Sequence, residues 1–277
     1  IIHYFDKKHN LQKEVNNEPG FILTNKKGGY LWLGQEPNSR YQGWFFTPLN
    51  LAGKKLFKVI ENIEIIDEAQ MTALQNNFWN VERQKGKIKE KFFLPLGFNS
   101  LVYEINQRKN IEIVLDVKES YDNREHGRMY DAFKERNCYI VKYNQTGLGL
   151  PSIFLAIMAD TNEIEKKNQW LLRHYPSDKQ RNSPPFSRYV FKSLNLKAKK
   201  IVFAVAEEKD KAVADAQYVF KKIRKLKKIA RKGTELLKVK KLKNKEVALA
   251  YLNAQNSLNN LTLTEQDNFI GLYAGLP

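Results

Sequence analysis

The chain is 277 residues long, 42% apolar and 12% aromatic, which excludes a disordered polypeptide and leaves enough apolar material for one large domain or two modest ones. No run of uncharged apolar residues is long enough to span a bilayer, and the lone Cys138 with the dispersed His3, His9, His126 and His174 excludes an internal disulfide and predicts no metal site and no cofactor. The net charge is +17, but residues 221–245 hold thirteen Lys/Arg against the single acid Glu235, so +12 is local and the chain as a whole does not read as a nucleic-acid binder.

The first twenty residues carry scattered charge and no apolar core, so no secretory signal and no membrane partner are predicted and a cytoplasmic protein is expected. The chain opens on Ile1 rather than Met, which leaves a preceding segment open. Short β-type runs then follow, bounded by turn residues. The first two cover 29–35 and 41–47, with Glu36-Pro37-Asn38-Ser39 as the turn between them. Further strands are predicted over 55–66, 71–83, 92–96, 101–106 and 111–117. In the last of these Ile111, Ile113, Leu115 and Val117 share one face while Glu112 and Asp116 share the other, the period of a half-buried strand. The polar stretch 121–137 reads as a loop or short helix. Strands resume at 139–143, 153–158, 164–172, 189–196 and 201–205, interrupted by a loop at 180–187 that contains Pro184-Pro185.

About a dozen strands without helical crossovers predict a mainly β fold, a large antiparallel β-sandwich over residues 1–206. From 207 to 277 the period changes and a helical linker is expected. Ala212, Ala216, Val219, Phe220, Ile223, Leu226 and Ala230 form the apolar stripe of a helix over 210–232, with Gly233 as its C-terminal cap. A second helix over 245–259 has Asn244 as its N-cap. The apolar run 269–277 predicts a polypeptide that continues past Pro277.

Chemistry alone singles out few sites. Asp122, Glu125 and Asp131 beside Arg124, His126 and Arg128 read as a solvated charged loop. Cys138 reads as a small buried hydrophobe in a strand. Trp32, Trp44, Phe45, Phe46, Trp79 and Trp170 suit either sugar stacking or a core, and core is favoured residue by residue. The basic helix carries eight cations between Lys221 and Lys232 but no aromatic suited to base stacking on its polar face, which argues for a solvated face and against a nucleic-acid partner.

Three segments carry a family resemblance. Thr24-Asn25-Lys26-Lys27-Gly28-Gly29-Tyr30, then Pro37-Asn38-Ser39-Arg40-Tyr41-Gln42-Gly43, then Gly53-Lys54-Lys55-Leu56 with Ile60-Glu61 resemble the N-terminal domain of glycogen-debranching-type glycoside hydrolases, the amylo-alpha-1,6-glucosidase family. Gly271–Pro277 is similar to that family's entry into its (α/α)6 catalytic barrel. Lys26-Lys27 replace small or apolar residues, and Gln42 stands where the family usually has histidine.

The resemblance implies an N-terminal sandwich, or supersandwich, that buttresses a barrel and shapes its substrate cleft. It implies an α-glucan or glycogen-like polysaccharide as substrate, hydrolysed with inversion by two carboxyl groups on the barrel, so that no catalytic residue falls in this chain. The barrel would be the protein's own C-terminal domain or a separate subunit. Asn25, Asn38, Arg40 and Tyr41 are the residues it offers for substrate contact, with turn structure as their alternative role. On the residues alone, a stand-alone carbohydrate-binding or interaction module and a nucleic-acid-associated protein using 221–245 stay open.

Overall fold

The computed structural model describes residues 3–5, 11–14, 20–48, 55–66, 69–147, 149–235, 243–265 and 268–272. The resemblance residues Gly53 and Lys54, and the last five residues of the chain, lie outside that set.

The first seven strands are β1 (His3–Phe5), β2 (Leu11–Glu14), β3 (Phe21–Thr24), β4 (Tyr30–Leu33), β5 (Gly43–Phe46), β6 (Phe57–Ile65) and β7 (Met71–Asn76). The middle of the chain adds β8 (Val81–Lys85), β9 (Ile88–Phe93), β10 (Ser100–Glu119), β11 (Arg128–Glu135), β12 (Cys138–Gln145), β13 (Ile153–Ala159) and β14 (Ile164–His174). The one-turn helix α1 (Pro176–Gln180) leads into β15 (Ser187–Ala206), followed by α2 (Lys209–Glu235), α3 (Lys245–Leu261) and the hairpin of β16 (Thr262–Glu265) with β17 (Asn268–Leu272).

Fifteen strands are hydrogen-bonded into one antiparallel sheet, folded into two layers because β10 and β15 pass through both. Their pairing breaks register between Glu104 and Lys109, an irregularity that bends long strands. Before the break β10 pairs with β9, and after it with β6. The first layer runs β1-β2-β7-β8-β9-β10-β15-β13-β12-β11; the second runs β3-β4-β5-β6-β10-β15-β14. Between them lies a single apolar core that takes Leu101, Tyr103, Leu155 and Phe203 from the first layer and Leu31, Trp44, Phe57 and Leu115 from the second. The mainly β sandwich is therefore the observed fold.

Several local expectations change. The predicted strands 101–106 and 111–117 are one strand, as are 189–196 and 201–205. The polar residues between each pair look like turns in sequence, but the backbone stays extended through them. The predicted strand 71–83 is instead a hairpin of β7 and β8. Its turn holds Phe78 at φ 69°, with Trp79 N donating to Asn77 O at 2.9 Å, the rare positive-φ γ-turn. The predicted loop 121–137 contains β11, an edge strand paired with β12 through a tight turn where Arg136 and Asn137 both take positive φ. Its charge reads as loop in sequence because an edge strand turns one side to solvent.

The helix α2 runs through Gly233 to Glu235, so Gly233 is not its cap. Its stripe lies on the outer face of the first layer. Ala212, Val213 and Ala216 pack on Cys138, Ile140, Ala156 and Ala204, small residues that let the helix approach closely. Val219, Ile223, Leu226 and Ala230 pack on Phe93, Val102 and Val202. Phe220, expected in the stripe, is only partly buried, and the Lys200 ammonium sits 4.1 Å from its ring centroid. The second predicted helix is α3, and Asn244 caps it by accepting from the Glu246 and Val247 amides.

Candidate functional site

The outer face of the second layer is closed by charge and by two loops. Asp116, expected on the solvent face of a half-buried strand, has a side chain with no exposure at all. Its Oδ1 accepts from Arg188 Nε at 2.8 Å and Arg128 Nη2 at 3.0 Å, and Lys58 Nζ lies 3.8 Å from Oδ2. Arg128, read as part of a solvated loop, is thus buried, because β11 brings it back over β10. Lys58 also pairs with Glu61 three residues along β6, and it donates to the Arg40 carbonyl at 3.0 Å. Lys118 Nζ donates to the Ser120 and Asp122 carbonyls at 3.0 and 3.1 Å. Four cations therefore surround two carboxylates.

Their titration follows from that imbalance. Burial disfavours the charged form of Asp116, but Arg188, Lys58, Arg128 and Lys118 outweigh it and hold its carboxyl well below the usual range. Burial raises Glu61; Asp116 adds to the rise and Lys58 opposes it. Burial lowers the Lys118 ammonium to about 7, and Arg188, Lys58 and Arg40 reinforce the fall against the pull of Asp116. Two carboxyl groups driven apart in pKa can divide acid and base roles. A catalytic pair must also reach a substrate within hydrogen-bonding distance, and both side chains here are sealed from solvent. The arrangement is a clamp for the loops above it.

The 36–42 loop is what the clamp holds. Asp178 on α1 accepts from Ser39 Oγ at 2.8 Å, from the Arg40 amide at 2.8 Å and from Arg181 Nη2 at 2.6 Å. Ser177 N donates to Asn38 O at 3.0 Å, and Gln42 Oε1 accepts from the Asn38 and Ser39 amides. Gln42, in the histidine position of the resemblance, thus closes the turn from inside. Gly43 follows at φ 122°, where a side chain would collide with the Ile60 carbonyl. Arg40 is buried; its guanidinium donates to Ser183 O, to Ser183 Oγ at 3.1 Å and to Tyr41 Oη at 2.9 Å, and stacks 4.5 Å from the Tyr41 ring centroid. The Tyr41 ring is half-buried, 6.0 Å from the highly exposed Tyr121.

Of the sequence-predicted site residues, Asn38, Arg40 and Tyr41 share this loop. Asn25 does not. It organises a separate turn, accepting from the Lys27 and Gly29 amides at 2.9 and 3.0 Å and donating to Phe98 O at 3.0 Å. Sequence reading missed Lys58, Glu61, Asp116, Lys118, Asp178 and Arg188. One signal was available: the run Ile113–Val117 is almost continuously apolar, which marks a strand covered on both faces.

A second surface feature lies on the edge of the same layer. Trp170 on β14 stands over the Arg128 guanidinium at 4.8 Å, edge-on to Tyr130, which stacks on Phe191 at 4.4 Å. Trp170, Leu172 and Tyr189 remain substantially exposed there. Trp44, Phe45 and Phe46, by contrast, are core. Cys138 is buried, and burial pushes its thiol up to about 11. Among the described residues no helix is long and apolar enough to cross a membrane.

No protein-family model and no curated protein matches the chain. Solved structures that resemble it include a bacterial glucoamylase complexed with acarbose, 12% identical with a TM-score of 0.41, where the match covers 91% of this chain and 44% of that one. They also include a provisionally assigned kojibiose phosphorylase from the human microbiome, 12% identical with a TM-score of 0.44, covering 83% of this chain and 35% of that one. The chain spans less than half the length of either protein.

Proposed function

We propose that this chain is the N-terminal, non-catalytic domain of a glucan hydrolase of the glycogen-debranching, α-1,6-glucosidase type. In this reading residues 1–206 form the sandwich, and 207–277 form the linker that leads to an (α/α)6 barrel. The observation that carries the reading is the order of parts. A two-layer sandwich is followed by a long helix along its flank and a second helix, in the order that the resemblance implies, and then by a hairpin that it does not.

The clamped loop supports a role at the rim of the barrel's cleft. Arg40 and Asn38 act there as positioning residues, since both are engaged inward, while Tyr41 offers a ring to an α-glucan. Asn25 shapes a different turn, the one whose Lys26 reaches Asn259 of α3. The general acid and base belong to the barrel, and the protein works in the cytoplasm. The test is the coding sequence that follows the codon for Pro277: helical hairpins carrying two well-separated carboxylates support the reading, and a stop codon weakens it, leaving a barrel on a separate subunit as its one surviving form. A second reading, a carbohydrate-binding module, is favoured by one observation, the exposed Trp170 and Tyr189 on the β14–β15 edge.

A further inference from the structure

The last turns of α3 lie near β3 and the 77–80 turn, and a cleft of about 370 Å³ opens between them and the end of α2. That volume falls in the range of small-molecule sites. Its lining divides into two chemistries. Phe78, Trp79 and neighbouring leucines supply an apolar, aromatic wall. Opposite them, Asn256, Asn259 and Asn260 recur at helical spacing, so three amides share one face of α3. Lys26 reaches the same wall, donating from Nζ to Asn259 Oδ1 at 2.6 Å.

Two backbone observations converge on the cleft. Lys26 and Phe78, both lining it, take φ 62° and 69°, a conformation that costs a non-glycine residue energy and is kept where surrounding structure demands it. Each is fixed by a hydrogen bond, one local and one long-range: the Phe78 amide donates to Asn76 Oδ1 at 2.8 Å, and Lys26 O accepts from Thr264 N at 2.9 Å. Thr24 Oγ1 further ties β3 to Asn260 O at 2.6 Å, so the two walls are held together. Burial lowers the Lys26 ammonium, in keeping with a poorly hydrated site. Lys26 is the one ionisable side chain in the lining and its ammonium already donates to Asn259 Oδ1, so the rest of the polar lining consists of neutral amides and hydroxyls suited to a ligand rich in hydroxyls. Amides that both donate and accept, set against an aromatic wall, match the alternating polar edges and apolar faces of a sugar ring.

We propose that this cleft binds a neutral saccharide, packed against Trp79 and hydrogen-bonded by Asn256, Asn259 and Lys26. The site is argued from the cleft itself; only the choice of an α-glucan as first probe rests on the proposed function. The test is calorimetric titration of the full chain with maltotriose and, separately, with the β-linked cellotriose. Binding of either trisaccharide, weakened about tenfold or more in Asn259→Ala and in Lys26→Met but unchanged in Trp170→Ala, supports the site. Trp79→Ala should act the same way, and the two polar variants carry the test if that change lowers the melting temperature. Binding of cellotriose alone keeps the cleft and removes the α-glucan reading. Binding of neither overturns the cleft and leaves the coding-sequence test of the domain untouched. Loss of binding in Trp170→Ala with the cleft variants silent also overturns it and moves recognition to the β14–β15 edge.

Discussion

On the outer face of the first layer, Phe93, Val102 and Val202 meet Val219, Ile223 and Leu226 of α2. On the outer face of the second layer, the same two long strands present Asp116 and Arg188 to each other, with Arg128 and Lys58 beside them. The apolar seal is non-directional, and any helix with a matching stripe satisfies it. The ionic seal is directional, because its hydrogen bonds fix which groups face each other and a buried charge without a counter-charge is costly. The difference assigns the faces different work: α2 closes a core, while the clamp fixes the position of the 36–42 loop.

The largest effect expected of any single change is at Asp116. Asp116→Asn leaves Lys58, Arg128 and Arg188 without their shared counter-charge, and a loss of about 3–5 kcal/mol in chemical denaturation is expected. A loss below ~1 kcal/mol would mean that the clamp is solvated. Next comes the apolar seal: Ile223→Ala should cost about 2–4 kcal/mol, and Phe220→Ala less, since Phe220 is only partly enclosed. If Phe220→Ala costs more, the helix is rotated on the layer.

The third effect is a pH dependence at Lys118 of the clamp. The Lys118 ammonium titrates at about 7 in the folded chain, below its unfolded value. Above pH 7 the unfolded chain therefore binds more protons at this group, and its contribution to stability rises with pH up to the unfolded pKa, by at most ~1.4 kcal/mol per unit. Titratable or charged neighbours facing it are Asp116, Arg188, Lys58 and Arg40. Denaturation at pH 7 and pH 9 should show this rise in the natural chain and lose it in Lys118→Met; equal slopes in both would contradict it. The smallest effect belongs to the solvent side of α2, where exposed Arg224→Glu should change stability by no more than about 0.5 kcal/mol.

What sequence made legible follows the same division. The alternation of Ile111–Val117, the stripe of α2 and the Asn244 cap are local patterns, and local patterns survive into the fold. The sandwich followed from counting strands. The charged centres did not follow. Lys58, Glu61 and Asp116 look like solvent-facing positions because what covers them, the 36–42 loop and the 175–188 segment, returns from far away in the chain. The Arg40 loop could be picked out by resemblance, but its anchor Asp178 sits in a segment with no distinguishing pattern. The polar links at 106–110 and 197–200 failed for the opposite reason: their composition says turn, while each lies inside one long strand whose pairing resumes at Lys109↔Ala198 after a break in register.

The most direct test of the central claim, that this sandwich serves a barrel carrying the chemistry, is glucose release from limit dextrin. The 277-residue chain should be assayed beside the polypeptide translated from the same gene through the sequence following Pro277. The account predicts glucose from the longer polypeptide and none from the 277-residue chain. Glucose release by the 277-residue chain alone, above a mock preparation, would contradict it.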